Sequence, residues 1–146
     1  MKVFASTVID KPAQSVWNVL RDFVGLAAWS NAVTSAKISN SKASDQPGAV
    51  RRLEIGDGSV FTETLLALSD AQMYLKYDIV DGPIPVTDYI ATMQVYPVTA
   101  GDASYVTWSA EFLTPDDQVD AMREVVGEQI CAGGLLALKS HMERSK

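Results

Sequence analysis

The chain has 146 residues, of which 47% are hydrophobic and 21% charged, with a formal net charge of −6. That length predicts one domain over residues 1–146, able to bury roughly 70% of the surface its unfolded chain exposes. An acidic balance with no basic patch argues against a nucleic-acid partner, and the absence of any apolar run of about 18 residues argues against a membrane span.

The first strand is predicted at Lys2–Ile9, followed by Asp10 as the cap of a helix with Pro12 in its first turn. Apolar residues at Val16, Trp17, Leu20 and Phe23 carry that helix to about Phe23. A short helical piece follows at Gly25–Trp29. Extended segments are then expected at Val33–Ser39, Ala49–Ile55, Ser59–Leu68, Met73–Val80, Thr87–Tyr96 and Tyr105–Leu113, divided by turn-forming stretches such as Gly56-Asp57-Gly58 and Asp81-Gly82-Pro83. Strands joined by short turns make an antiparallel meander. After Pro115-Asp116-Asp117 the period changes: Val119, Met122, Val126, Ile130, Leu135 and Leu138 predict one long helix from Pro115 to Glu143. Gly133-Gly134 in its middle asks for a close approach, a kink or space for a ligand.

A single cysteine, Cys131, rules out an internal disulfide and suits a reducing cytoplasm. The start, MKVFASTVIDKP, has too short an apolar run for a signal peptide. One histidine, His141, and one cysteine make neither a Cys-His dyad nor a zinc set, unless acidic residues supply most of the ligands. No glycine-rich nucleotide motif or G-x-S-x-G elbow is present, so no cofactor and no metal are expected.

The hairpin AVRRLEIGDGSVFTETLLAL, Ala49 to Leu68, places charges where the pattern calls for apolar residues. Alternation puts Arg51, Leu53 and Ile55 on one face of the first arm, and Phe61, Glu63, Leu65 and Ala67 on one face of the second. A two-residue loop would set these rows on opposite faces. A three-residue loop with a left-handed glycine pairs Leu53 with Phe61 and Arg51 with Glu63. The ion pair is then either a buried structural pair or part of a site; burial of two charges is weak grounds for stability alone. Further inward rows are Met73, Leu75, Tyr77 and Ile79; Tyr89, Ala91, Met93 and Val95; and Val106, Trp108, Ala110 and Phe112. The long helix is their cover, and a gap beneath it becomes a cavity. Trp29, Leu53, Phe61, Tyr77, Met93, Trp108 and Phe112 are its expected walls. Taken by itself, Tyr89 reads as a core tyrosine whose hydroxyl finds a polar partner.

The segments KPAQSVWNVLRDFVGLAAWSNAV, GAVRRLEIGDG, ETLLALSD, YDIVDGPIPVTDYIATMQVYPV, VTWSAEF and GLLALKSHME, in that order, resemble the polyketide cyclase/dehydrase branch of the START-like (SRPBCC) superfamily. The resemblance implies an α+β helix-grip fold: a seven-stranded curved antiparallel sheet around a long C-terminal helix, two short helices after the first strand, and an internal apolar pocket. It is distantly similar to the plant lachrymatory factor synthase, in which an arginine, a glutamate and a tyrosine act together. Their motifs fall on Gly48-Ala49-Val50-Arg51, on Glu63 before Leu65-Leu66-Ala67-Leu68, and on Asp88 to Gln94, which places the tyrosine at Tyr89. The resemblance thereby implies catalytic roles for Arg51, Glu63 and Tyr89. Three functions remain open: proton-transfer chemistry on a small, mostly hydrophobic molecule, a non-catalytic carrier or sensor of such a molecule, and an interaction module with a vestigial cavity.

Overall fold

Lys2–Ile9 forms strand β1, as its alternation requires. A computed structural model of the chain describes residues 1–144. Pro12 opens helix α1 at Ala13–Leu20, where its missing N–H deprives the helix of nothing. Asp10 does not cap this helix, whose N-terminus has no side-chain cap. The Asp10 N–H donates instead to Glu143 Oε2 at 2.9 Å, joining the end of β1 to the last helix. Nor does α1 reach Phe23. It closes at Arg21, whose guanidinium is drawn sideways to Asp70 at 2.8 Å and Asp45 at 3.1 Å. Trp17 Nε1 donates to the same Asp70 carboxylate at 2.8 Å, so α1 is tied to the Ser69-Asp70 turn. Released from the helix, Phe23 is free to turn its carbonyl toward the sheet.

The remaining elements are helix α2 (Leu26–Trp29) and strands β2 (Val33–Ile38), β3 (Val50–Ile55), β4 (Val60–Ser69), β5 (Tyr74–Asp78), β6 (Thr87–Val98) and β7 (Ala103–Leu113). The sheet runs in the order β1-β7-β6-β5-β4-β3-β2, antiparallel throughout. The meander from β2 to β7 is thus laid down by successive local connections, while β1 crosses over to the far edge. This is the expected α+β helix-grip architecture. Strand β5 begins after Met73, which takes a left-handed φ of 56°, and ends at Asp78, beyond which the Val80 N–H donates to the Thr62 carbonyl at 2.7 Å.

The β3–β4 hairpin takes the three-residue register. Arg51 faces Glu63 and Leu53 faces Phe61, with the Ile55 N–H donating to the Ser59 carbonyl at 2.9 Å. Gly58, at φ 90°, supplies the left-handed position, and Asp57 accepts from both the backbone and the hydroxyl of Ser59.

The C-terminal helix departs from the expected continuous α-helix. A 3₁₀ turn at Asp116–Gln118 leads to helix α3 (Val119–Met122), then a wide π segment over Arg123–Ala132, then helix α4 (Gly133–Arg144). The buried row is Met122, Val126, Cys131, Leu135, Leu138 and Met142. Its step from Val126 to Cys131 is one residue too long for an α-turn, and the wider π turn absorbs the difference. Gly134 answers the question of the glycine pair: a Cβ there would fall 2.3 Å from Trp108 Cζ3, so only glycine lets the helix lie on that indole. The helix packs along β1 and β7 and stands away from β3 and β4.

Candidate functional site

The unequal grip of the helix leaves a cavity of about 430 Å³ over the β3–β5 half of the sheet. Its walls include Leu53, Phe61, Tyr77 and Trp108 from the expected set, together with Arg51, Glu63 and Tyr89. Trp29, Met93 and Phe112, also expected as walls, do not line it. Met93 on β6 and Phe112 on β7 are buried in the core outside the cavity, Phe112 stacking on Tyr89. Trp29 is buried behind Trp108, edge-on at 6.3 Å. Strand alternation places Met93 and Phe112 on the correct face but carries no information on which part of that face the helix fills; Trp29, on helix α2, lies outside that pattern.

Leu26, Val125 and Ile130 line the cavity without having been singled out. The two helical residues follow from the π segment, which turns both Ile130 and its neighbour Cys131 inward to different depths. At the opening, the Asp81-Gly82-Pro83 loop is fastened to β4 by reciprocal backbone bonds between Thr62, Val80 and Asp81. A Cβ on Gly82 would lie 2.9 Å from Phe61, so the loop closes directly on that ring.

The polar end of the cavity is built around Arg51 and Glu63, each 5% exposed. Arg51 Nε lies 2.8 Å and Nη2 2.7 Å from the same oxygen, Glu63 Oε1. Nη1 donates to the Phe23 carbonyl at 2.6 Å. The guanidinium sits in the corner made by two rings, 3.8 Å from the centroid of Phe23 and 4.8 Å from that of Tyr77, the two centroids being 6.1 Å apart. All three nitrogens are engaged and two rings pack against the guanidinium, so Arg51 is a fixed support for Glu63. Glu63 Oε2 takes no hydrogen bond from the described residues.

Tyr89 reaches the cavity through a bulge. Between Thr87 and Ile90 the β6–β7 register shifts, and Asp88 adopts φ 52°. The ring of Tyr89 then stacks on Phe112 at 5.6 Å. Tyr77 accepts a hydrogen bond from Trp108 Nε1 at 3.1 Å. Outside the cavity, Arg52 and Glu54 pair with each other on the opposite face of β3.

Residues 1–143 match the model of a family described as polyketide cyclase/dehydrase and lipid transport. The chain belongs to that family. Among solved structures it is similar to XoxI from Bacillus cereus, at 28% identity and a TM-score of 0.87, covering 97% of this chain and 95% of that one. It is also similar to the Zhui aromatase/cyclase from a Streptomyces species, at 20% identity and a TM-score of 0.83, covering 99% and 94%. A START superfamily protein from Mycobacterium smegmatis shares the fold at 15% identity and a TM-score of 0.79, covering 99% of each. No curated protein matches the chain. The latter two structures establish the START-like fold.

In this member of the polyketide cyclase/dehydrase and lipid transport family, burial dominates the electrostatics of the site. Desolvation pushes the Glu63 carboxyl above the usual glutamate range; Arg51 pulls it back and nearby Asp78 adds a small upward push. Desolvation likewise holds the phenols of Tyr77 and Tyr89 well above their ordinary value, so both stay protonated. A small hydrophobic ligand is what such a family and an apolar chamber imply. Among the described residues, no group of three or more His, Cys, Asp or Glu side chains is placed to hold a metal ion, and no helix is long and apolar enough to cross a membrane.

Proposed function

We propose that this protein binds a small, mostly apolar molecule in the cavity and catalyses proton transfer on it, as in a cyclisation, dehydration or rearrangement. The observation that carries this reading is the asymmetry of Glu63: one carboxylate oxygen is clamped by Arg51, the other is unspent at the wall of an apolar chamber. Glu63 acts as the proton shuttle, its affinity for a proton raised by burial above that of an ordinary glutamate. Arg51 fixes its orientation. Tyr89 donates a hydrogen bond to the oxygen on which charge develops. The likeness to the lachrymatory factor synthase, whose arginine, glutamate and tyrosine motifs fall on these three positions, supports the same roles.

On a carbonyl compound, Glu63 Oε2 takes the proton from the carbon next to the carbonyl, the C–H electron pair moves toward the oxygen, and Tyr89 holds the resulting enolate. The carboxyl then returns the proton. A carrier that binds without turnover is the second reading, favoured by the lipid-transport part of the family description.

Both readings meet in one experiment with β-tetralone in D₂O, followed by NMR. Enzymatic proton transfer exchanges the protons beside the ketone for deuterium, and Glu63→Gln abolishes the exchange while binding persists. A carrier binds the ketone and leaves its exchange at the buffer rate in both proteins.

A further inference from the structure

The tyrosine beside the ion pair has a use that its role as a wall does not exhaust. Tyr77 is 2% exposed, yet its hydroxyl only accepts, from Trp108 Nε1 at 3.1 Å. The hydroxyl proton meets no acceptor among the described residues. An accepted hydrogen bond polarises the O–H and strengthens it as a donor. The donor behind it is itself immobilised, because Trp108 is pressed against the bare backbone of Gly134. On its other side the Tyr77 ring lies against the Arg51 guanidinium. Tyr77, Trp108 and Tyr89 all border the same cavity, and the Tyr89 hydroxyl makes no hydrogen bond with the described residues either.

We infer that Tyr77, seated on Trp108, is a second hydrogen-bond donor that joins Tyr89 in holding the carbonyl oxygen of a neutral ligand. This rests on the reading that the cavity is a ligand site and specifies what that ligand presents. Two unspent phenolic protons match the two lone pairs of one carbonyl oxygen. The positive charge of the site is tied to Glu63 on the protein's own side, so an anionic head group gains no free cation and meets the Glu63 carboxylate. An aromatic or alicyclic ketone suits both the donors and the apolar walls; a fatty-acid carboxylate does not.

The test uses methyl β-naphthyl ketone and β-isopropylnaphthalene, which share a shape and differ in the oxygen. Each is titrated by NMR into wild type, Tyr77→Phe and Tyr89→Phe. Tyr77→Phe is expected to weaken the ketone about tenfold, the scale of one net hydrogen bond, and the hydrocarbon less than about twofold. The infrared carbonyl stretch of the bound ketone shifts upward in Tyr77→Phe as the hydrogen bond is lost, which a packing defect alone does not produce. Equal weakening of both probes, or an unmoved carbonyl band, overturns the assignment of Tyr77 while leaving the cavity as the binding site. If neither probe binds wild type, the cavity reading falls and takes this inference with it.

Discussion

Arg51 and Glu63 meet through a single carboxylate oxygen, with Nε at 2.8 Å and Nη2 at 2.7 Å from Oε1. A pair retained only for stability gains most when both oxygens are satisfied, because each desolvated lone pair otherwise goes uncompensated. Arg51→Met is expected to cost about 3–5 kcal/mol in urea unfolding, since it leaves the Glu63 carboxyl and the Phe23 carbonyl without their donor. Arg51→Met combined with Glu63→Leu restores stability to near wild type and abolishes exchange of β-tetralone. A double variant no more stable than the single one would make the pair a structural requirement of the fold.

The same carboxyl gives stability a pH dependence of known sign. Because burial raises Glu63 in the folded state, the unfolded chain releases this proton first, near the ordinary value of about 4.3. Between that value and the raised one, the native state holds more protons. Glu63's favourable contribution is complete below this window and declines as pH rises through it. Wild type should therefore lose stability relative to Glu63→Gln with increasing pH, read from paired urea titrations. An advantage of wild type that grows with pH would reverse the sign and show the arginine outweighing burial.

The adjacent glycines should respond differently to the same substitution. Gly134→Ala drives a Cβ to 2.3 Å from Trp108, and overpacking of this kind costs about 1–3 kcal/mol. It also displaces the indole, changing tryptophan fluorescence. At Gly133 the nearest atom to a new Cβ is the Glu128 carbonyl at 3.4 Å, so Gly133→Ala is expected to be tolerated, with a gain in helix propensity of up to about 1 kcal/mol. Equal thermal shifts for the two variants would disprove the close approach.

Cys131 is fully buried, and desolvation pushes its thiol up to about 12. Thiolate is the reactive form, so a disulfide reagent at neutral pH should label the native protein at the rate of its unfolding. Rapid labelling in the absence of denaturant would place this thiol outside the core.

What the sequence disclosed follows from the physics of each element. The Arg51–Glu63 register was legible because strand alternation and a left-handed glycine leave one consistent pairing. The helical breakdown was less so: apolar residues at Val126, Ile130 and Leu135 fit an α-helix loosely, and the five-residue step from Ile130 to Leu135 was the available sign of a wider turn. Trp29, Met93 and Phe112 show a different limit. The burial of Met93 and Phe112 is written in local alternation, and Trp29 sits on the short helix α2, but the void begins where a helix distant in sequence lifts off the sheet. Tyr77 was legible as an inward ring; its unspent proton depends on Trp108, on another strand.

The placement of β1 bears on how the molecule assembles. Its partners on β7, such as Glu111 opposite Lys2, lie roughly a hundred residues away, a costly loop to close before any contact is gained. The β3–β4 hairpin needs only its own turn, so Arg51 and Glu63 come into register early. Until β1 docks, β7 remains an open edge carrying Val106 and Trp108, the kind of template on which chains join to one another. The last helix packs on β1 as well as on β7. Local closure therefore favours setting the Arg51–Glu63 hairpin before its chamber is roofed, and the vulnerable interval for this chain is expected between those two events.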